Sequence, residues 1–233
     1  MKWWLTDVEN AIIKARDKIA PVADAVAQDL NIGKDNDLFI VGGFVRDNVL
    51  AAWSGKENVS KDIDLMLSKR LDLENNQNIV RKRANSMGGL KIGTKNFPEI
   101  DIFQHNATSQ QLMLGEYFDF NCNALYYSHS SRNIFASSRF YDFMSRKMID
   151  LLNFIILEQK YPEHSVVSRA LKFQAQFQEK YGLSVKLSED ILGILHNMDK
   201  DTEQKMFEYT KAKVKNQALQ NKIINEYNRL KCH

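Results

Sequence analysis

Cysteine is scarce in this chain: two residues, Cys122 and Cys232, in 233. Two cannot build a disulfide framework, nor a zinc site unaided, and a reducing cytoplasm is the simplest setting. No apolar run is long enough to cross a membrane. The start, MKWWLTDVENAIIKARDK, brings acidic residues in early and lacks the apolar centre of a signal peptide. Internal repeats and low-complexity tracts are missing as well. The net charge is only +3, so no global charge argument points to nucleic acid. From Lys200 onward eight Lys/Arg face four Asp/Glu, a bias that solvated helix faces also show. What remains is a soluble globular protein, with 44% hydrophobic and 26% charged residues, as one large domain or two small ones.

The order of elements comes from periodicity and punctuation. Thr6 is expected to cap an N-terminal helix with Val8, Ile12, Ile13 and Ala15 at helical spacing. Pro21 is expected to break or restart it, and residues 22–31 to continue as a second turn of a hairpin or bent helix. DLFIVGG reads as a short buried strand, and VRDNVLAAWS as a helix closed by Gly55. KDIDLMLS alternates as a half-buried strand does. Residues 76–87 read as a helix ended by MGG. LKIGTKNFPEIDIFQ reads as two strands around a turn at Lys95-Asn96, and FNCNALYYS as a strand or strand entry. After Phe140 the character changes: FYDFMSRKMIDLLNFIILEQ, SVVSRALKFQAQFQEKYG, SEDILGILHNM and residues 202–231 all read as helices. The expected fold class is therefore α+β, a small mixed sheet flanked by helices and then an all-helical part. The expected division is 1–36 as a helical extension, 37–140 as the sheet domain and 141–233 as the helical domain.

Three short stretches carry chemistry. In LFIVGGFVRDNVL a strand ends in Gly42-Gly43 and a helix follows. Glycines let the backbone approach a ligand, and a helix start points its free N–H groups at an anion such as phosphate. Arg46 then adds a charge-assisted contact; the alternative is a tight turn with Arg46 in a surface ion pair. In KDIDLML, residues two apart on a strand share a face, so Asp62 and Asp64 present two carboxylates to one spot. Like charges that close call for a cation, and Mg²⁺ takes oxygen ligands while leaving room for substrate phosphates. An acidic solvent-facing strand is the alternative. In PEIDIFQ, Glu99 and Asp101 share a face, and Asp101 completes the site if its strand lies beside that of Asp62 and Asp64.

VGGFVRDNVL followed by KDIDLML resembles the head of the poly(A) polymerase and CCA-adding tRNA nucleotidyltransferase family, of the bacterial and eukaryotic class. LKIGTKNFPEIDIF is similar to that family's next hairpin. FDFNCNALYY resembles its Arg-Arg-Asp-Phe-Thr-x-Asn-Ala motif at Asp119, Phe120, Asn123 and Ala124. SRALKFQAQF resembles its neck-helix segment at Arg169, Ala170, Phe173 and Ala175, with Lys172 for the second arginine. The resemblance runs from about residue 37 to about residue 190. It implies a nucleotidyltransferase head followed by a neck-like helical domain. It implies Asp62 and Asp64 as Mg²⁺ ligands, with Asp101 as a third catalytic carboxylate. Gly42, Gly43, Arg46, Asp47, Asp119, Asn123, Arg169 and Lys172 would contact the nucleotide. Strand-end capping by their own side chains is the other reading of Asp119 and Asn123. The implied reaction moves NMP from an NTP, ATP or CTP, to the 3′ hydroxyl of a tRNA-like RNA.

The departures are specific. Tyr117 and Phe118 stand where the family has two arginines, so two contacts are lost or aromatic stacking replaces them. Where CCA-adding members read the base with Glu-Asp-x-x-Arg, this chain has PEHSV, with Glu163 for the acid and Val166 for the arginine. A hydrocarbon cannot donate to a base edge. His164 reads as a cap or surface residue. Full-length enzymes of the class continue into body and tail domains after the neck, whereas about forty residues follow it here. The N-terminal helix, with Trp3 and Trp4, would then cover missing surface or dock a protein partner. Two other functions stay open: a nucleotidyltransferase acting on a protein or small molecule in a toxin or defence role, and a non-catalytic NTP-binding scaffold.

Overall fold

In the computed structural model the described residues are 3–58, 62–85, 89–152 and 162–232. The chain divides into two compact units. One comprises residues 1–118 and 123–141, the other residues 119–122 and 142–233.

The first unit opens with α1, Trp3–Asp29, one continuous helix that runs through Pro21. Val8, Ile12, Ala15, Ile19, Ala23, Val26 and Leu30 are buried along one stripe, which packs on α2, Gly43–Ser54. That burial outweighs the hydrogen bond Pro21 removes, so the expected break does not form. Thr6 is inside the helix rather than at its cap, and Ile13 is 48% exposed, off the buried stripe. The far end of α1 is tied to the sheet. The Asp29 carboxylate accepts from Thr94 Oγ1 at 2.5 Å and Asn96 Nδ2 at 2.7 Å, and Asp24 accepts from Arg132 at 2.8 Å. The helix thus spends its apolar face inside its own unit, which leaves docking of a protein partner without support. The side chains of Trp3 and Trp4 lie outside the described residues.

The sheet holds β1 Leu38–Val41, β2 Ile63–Leu67, β3 Ile79–Ala84, β4 Leu90–Thr94, β5 Ile100–His105, β6 Leu125–Ser128 and β7 Asn133–Ala136. Their order is β3-β4-β5-β2-β1-β6-β7, antiparallel except for the β2–β5 pair. A short helix, α3, Ser109–Leu114, capped by Thr108, joins β5 to the turn before β6. Four readings hold here: the strand before Gly-Gly, the helix closed by Gly55 in the left-handed conformation, the strand of Asp64, which starts one residue after Asp62, and the following hairpin. Residues 79–84 correct the expected helix. They form edge strand β3, whose ladder bonds to β4 outweigh the helix propensity of Arg, Lys and Ala. Gly89 does not end a helix either. A Cβ there would lie 2.2 Å from the Ile102 carbonyl oxygen, so Gly89 is what lets the chain pass close over β5. The remainder of that MGG, and residues 153–159 of the long apolar run, lie outside the described residues.

The second unit is built on α5, Glu163–Tyr181, with α6 Glu189–Asn197, α7 Lys200–Lys213 and α8 Gln217–Lys231 packed around it. Val167, Ala170, Leu171 and Phe177 of α5 are buried, as are Met206, Ile223 and Tyr227 of its neighbours. Asp199 and Asn216 cap α7 and α8 through the N–H groups of Thr202 and Leu219. The helix expected from Phe140 onward is shorter: α4, Ser138–Arg146, stops where Lys147 takes φ 50°. The chain then enters β8, Met148–Ile149, which pairs in parallel with β9, Lys186–Leu187. A small ladder therefore accompanies the helices. Among the described residues no helix is long and apolar enough to cross a membrane.

Candidate active site

The first unit gathers the residues expected to do chemistry. Register places Val41, the last residue of β1, opposite Asp64. The next residue, Gly42, turns with φ 68° and ψ −138°, a conformation only glycine adopts cheaply. A Cβ on Gly42 would lie 2.9 Å from Asp64 Oδ2. The first glycine is therefore fixed by the carboxylate packed beside it, and the turn starts α2 directly against that carboxylate.

Asp101 of β5 is the register partner of Asp64, so the strand adjacency on which the third carboxylate depended is present. Asp62 sits exposed, one residue before β2. Burial pushes the Asp64 carboxyl up to about 7, and the negative charges of Asp101 and Asp62 add to it. Arg46 and Lys91 pull it back. Among the described residues no N–H or O–H donates to Asp62 or Asp64.

Asp101 is engaged differently. Lys91 of β4 lies 2.9 Å from its Oδ2, and Asn85 donates to its Oδ1 at 3.3 Å. Lys91 also pairs with Glu99. Burial pulls the Lys91 ammonium down, but its hydrogen bonds to Glu99 and Asp101 outweigh that and leave it above its ordinary value. Neither Lys91 nor Asn85 was singled out from sequence; the alternation in LKIG, which puts Lys91 on the face of Gly93, is the signal that was there to find.

Arg46 is not a surface residue. It is 5% exposed, with Nε donating to Asp47 Oδ1 at 2.8 Å and Nη1 to Asn123 Oδ1 at 2.6 Å. One guanidinium thus ties the start of α2 to Asn123, two residues ahead of β6. Asp47 and Asn123 are buried parts of the same knot, which explains why the turn residues and the later Asn-Ala motif belong together.

The other expected contacts lie in the second unit. Arg169 of α5 pairs with Asp119 and sits 6.0 Å above the Phe120 ring, and Phe120 packs edge-on against Phe173 at 5.5 Å. The second Asp119 oxygen accepts from the Phe120 N–H at 2.9 Å. Lys172, a turn along α5, is half-buried. Phe118, in the first unit, is 6% exposed and is a core residue rather than a stacking platform, while Tyr117 donates to Gln111. Val166 is 4% exposed, and His164 packs against Tyr209, where burial and Lys205 lower its basicity.

Among the described residues no three His, Cys, Asp or Glu side chains gather closely enough to enclose a divalent cation. Two acceptor-only carboxylates without donors, at a glycine turn, do suit Mg²⁺, which binds through one or two carboxylates and completes its shell with water and substrate phosphate.

The chain matches no protein-family model and no curated protein. Solved structures do resemble it. A Thermotoga maritima CCA-adding enzyme complexed with tRNA superposes with TM-score 0.59 at 17% identity, covering 93% of this chain and 54% of that one. A CCA-adding enzyme with ATP gives 0.57 at 16%, covering 92% and 52%. A Bacillus stearothermophilus CCA-adding enzyme in complex with CTP gives 0.50 at 16%, covering 78% and 47%. The fold is the one seen in CCA-adding enzymes. The chain spans about half the length of these structures.

Proposed function

We propose that the protein is a metal-dependent nucleotidyltransferase that moves NMP from an NTP, ATP or CTP, to the 3′ hydroxyl of an RNA, with release of pyrophosphate. A tRNA-like acceptor and a cytoplasmic setting go with this reading. The carrying observation is the packing of Asp64 against the Gly42 turn, beside Asp62 and Asp101. In this reading Asp62 and Asp64 hold Mg²⁺, which would supply Lewis-acid activation of the hydroxyl and charge relief on the triphosphate. Gly42 and Gly43 leave the backbone bare, so the N–H groups at the start of α2 can meet phosphate oxygens. Arg46, Asp47 and Asn123 keep that turn rigid, and the Arg46 charge acts on the site from within the knot. Asp101 is held by Lys91 and Asn85 and fixes the anionic floor next to Asp64. In the second unit, Asp119, Arg169 and Lys172 are proposed as further nucleotide contacts, Asp119 and Arg169 sharing an ion pair.

The test is incubation of the purified protein with total RNA and each labelled NTP in turn. Label is expected on RNA 3′ ends and is lost in Asp62→Ala and Asp64→Ala; label that persists unchanged in both variants overturns the assignment. A second acceptor class has one observation in its favour. Phe118 is buried and Tyr117 donates to Gln111 where the resembled family has two arginines. Label on protein or a small molecule, and none on RNA, selects that reading.

A further inference from the structure

The face that carries the carboxylates continues to the edge of the sheet. Register runs from Asp64 to Asp101, from Asp101 to Lys91 and from Lys91 to Arg83. Four adjacent strands thus contribute a single row, two anions followed by two cations. Cross-strand partners share a face, and Glu99 confirms it here by pairing with both Lys91 and Arg83. Arg81 joins the same face two residues along β3, opposite Gly93. With strands roughly 4.8 Å apart, Lys91 and Arg83 lie about 10 and 14 Å from Asp64 across the sheet.

Edge strands often carry a cation simply to block aggregation. Three features of β3 exceed that need. Arg81, Lys82 and Arg83 are consecutive and exposed. Two of the three, Arg81 and Arg83, point to the carboxylate face by their register with Gly93 and Lys91. Arg81 and Lys82 have no ion-pair partner among the described residues, and the Arg83–Glu99 pair is solvent-exposed, with side chains 58% and 40% accessible. Exposed pairs contribute little and exchange readily for a phosphate.

We infer that Arg81, Arg83 and Lys91 form a phosphate track for the acceptor nucleic-acid strand, leading its 3′ end along the sheet toward Asp62 and Asp64. The inference rests on the transfer reading and names where the acceptor lies on the first unit. Positive charge ordered along a line selects a polyanion, and neutralising backbone phosphates with Lys and Arg releases their counterions.

The experiment is binding of a fluorescein-labelled single-stranded oligoribonucleotide across a sodium chloride series. Wild type is compared with Arg81→Ala/Arg83→Ala and Arg81→Lys/Arg83→Lys. Each phosphate contact on a single strand adds roughly 0.7 to the slope of log affinity against log salt, so the alanine pair is expected to flatten it by about 1.4. The lysine pair keeps the slope, and binding of Mg²⁺-NTP is unchanged in both. An unchanged slope in the alanine pair, with RNA labelling intact, overturns the track and leaves the transfer reading standing. A flattened slope supports the track whatever the labelling assay shows, and absent labelling then counts against the transfer reading alone. A lysine pair as impaired as the alanine pair overturns the track, because charge is then not what binds.

Discussion

Gly42 and Asp64 define each other. The positive φ and the 2.9 Å approach of a would-be Cβ to the carboxylate make Gly42→Ala costly twice over. The backbone conformation is strained by roughly 1–3 kcal/mol, and the Asp64 oxygens must move. Misplacement of that kind costs on the order of 10²-fold in rate, so Gly42→Ala is expected to lose about that much nucleotide transfer while still folding, read by steady-state kinetics beside circular dichroism. Asp64 gives a second test, in stability. Its folded-state pKa is raised, from 3.8 to about 7. The carboxyl therefore costs nothing below its unfolded value, and the metal-free protein loses stability as pH rises through the interval to about 7, by on the order of 4 kcal/mol. Asp64→Asn is expected to melt higher than wild type at pH 8 without metal and no differently near pH 4. Equal melting at both pH values contradicts the burial and repulsion ascribed to Asp64.

At the scale of elements, α1 carries Pro21 at an exposed position in mid-helix. Proline there removes one backbone hydrogen bond and strains the preceding turn, a cost partly offset by its rigidity in the unfolded chain. Pro21→Ala should raise the melting temperature, with a gain of about 2 kcal/mol in urea unfolding; no gain would mean that the helix bends to accommodate it. The same element shows what sequence reading can and cannot reach. Gly42-Gly43, Gly55 and the strand that carries Asp64 were legible because each is a local constraint, a backbone conformation or a period of two. The break at Pro21 and the helix over 76–87 were misread because distant partners decide them. The stripe of α1 is held by α2, and β3 exists because β4 offers it a ladder. The site was legible in part for the same reason. Asp62, Asp64 and the turn are close in sequence, but the engagement of Asp101 by Lys91 and of Arg46 by Asn123 depends on register between strands and on a contact across 77 residues.

For the molecule as a whole, the first unit already contains the glycine turn, three carboxylates and their cationic counterparts. Its chemistry is therefore expected to respond to ligand as one thing. Mg²⁺ with an NTP at about 100 times its dissociation constant should stabilise the protein by about 2.7 kcal/mol, visible as an upward thermal shift. Neither NTP with chelator nor Asp62→Ala with Mg²⁺-NTP should reproduce it. The central claim, that the Asp62 and Asp64 carboxylates hold a divalent cation serving a triphosphate at the Gly42 turn, is tested most directly by paramagnetic resonance of Mn²⁺ titrated into the protein with a non-hydrolysable NTP. Wild type should convert free Mn²⁺ to a bound signal that both Asp62→Asn and Asp64→Asn abolish; an equal bound signal in all three proteins would contradict the account.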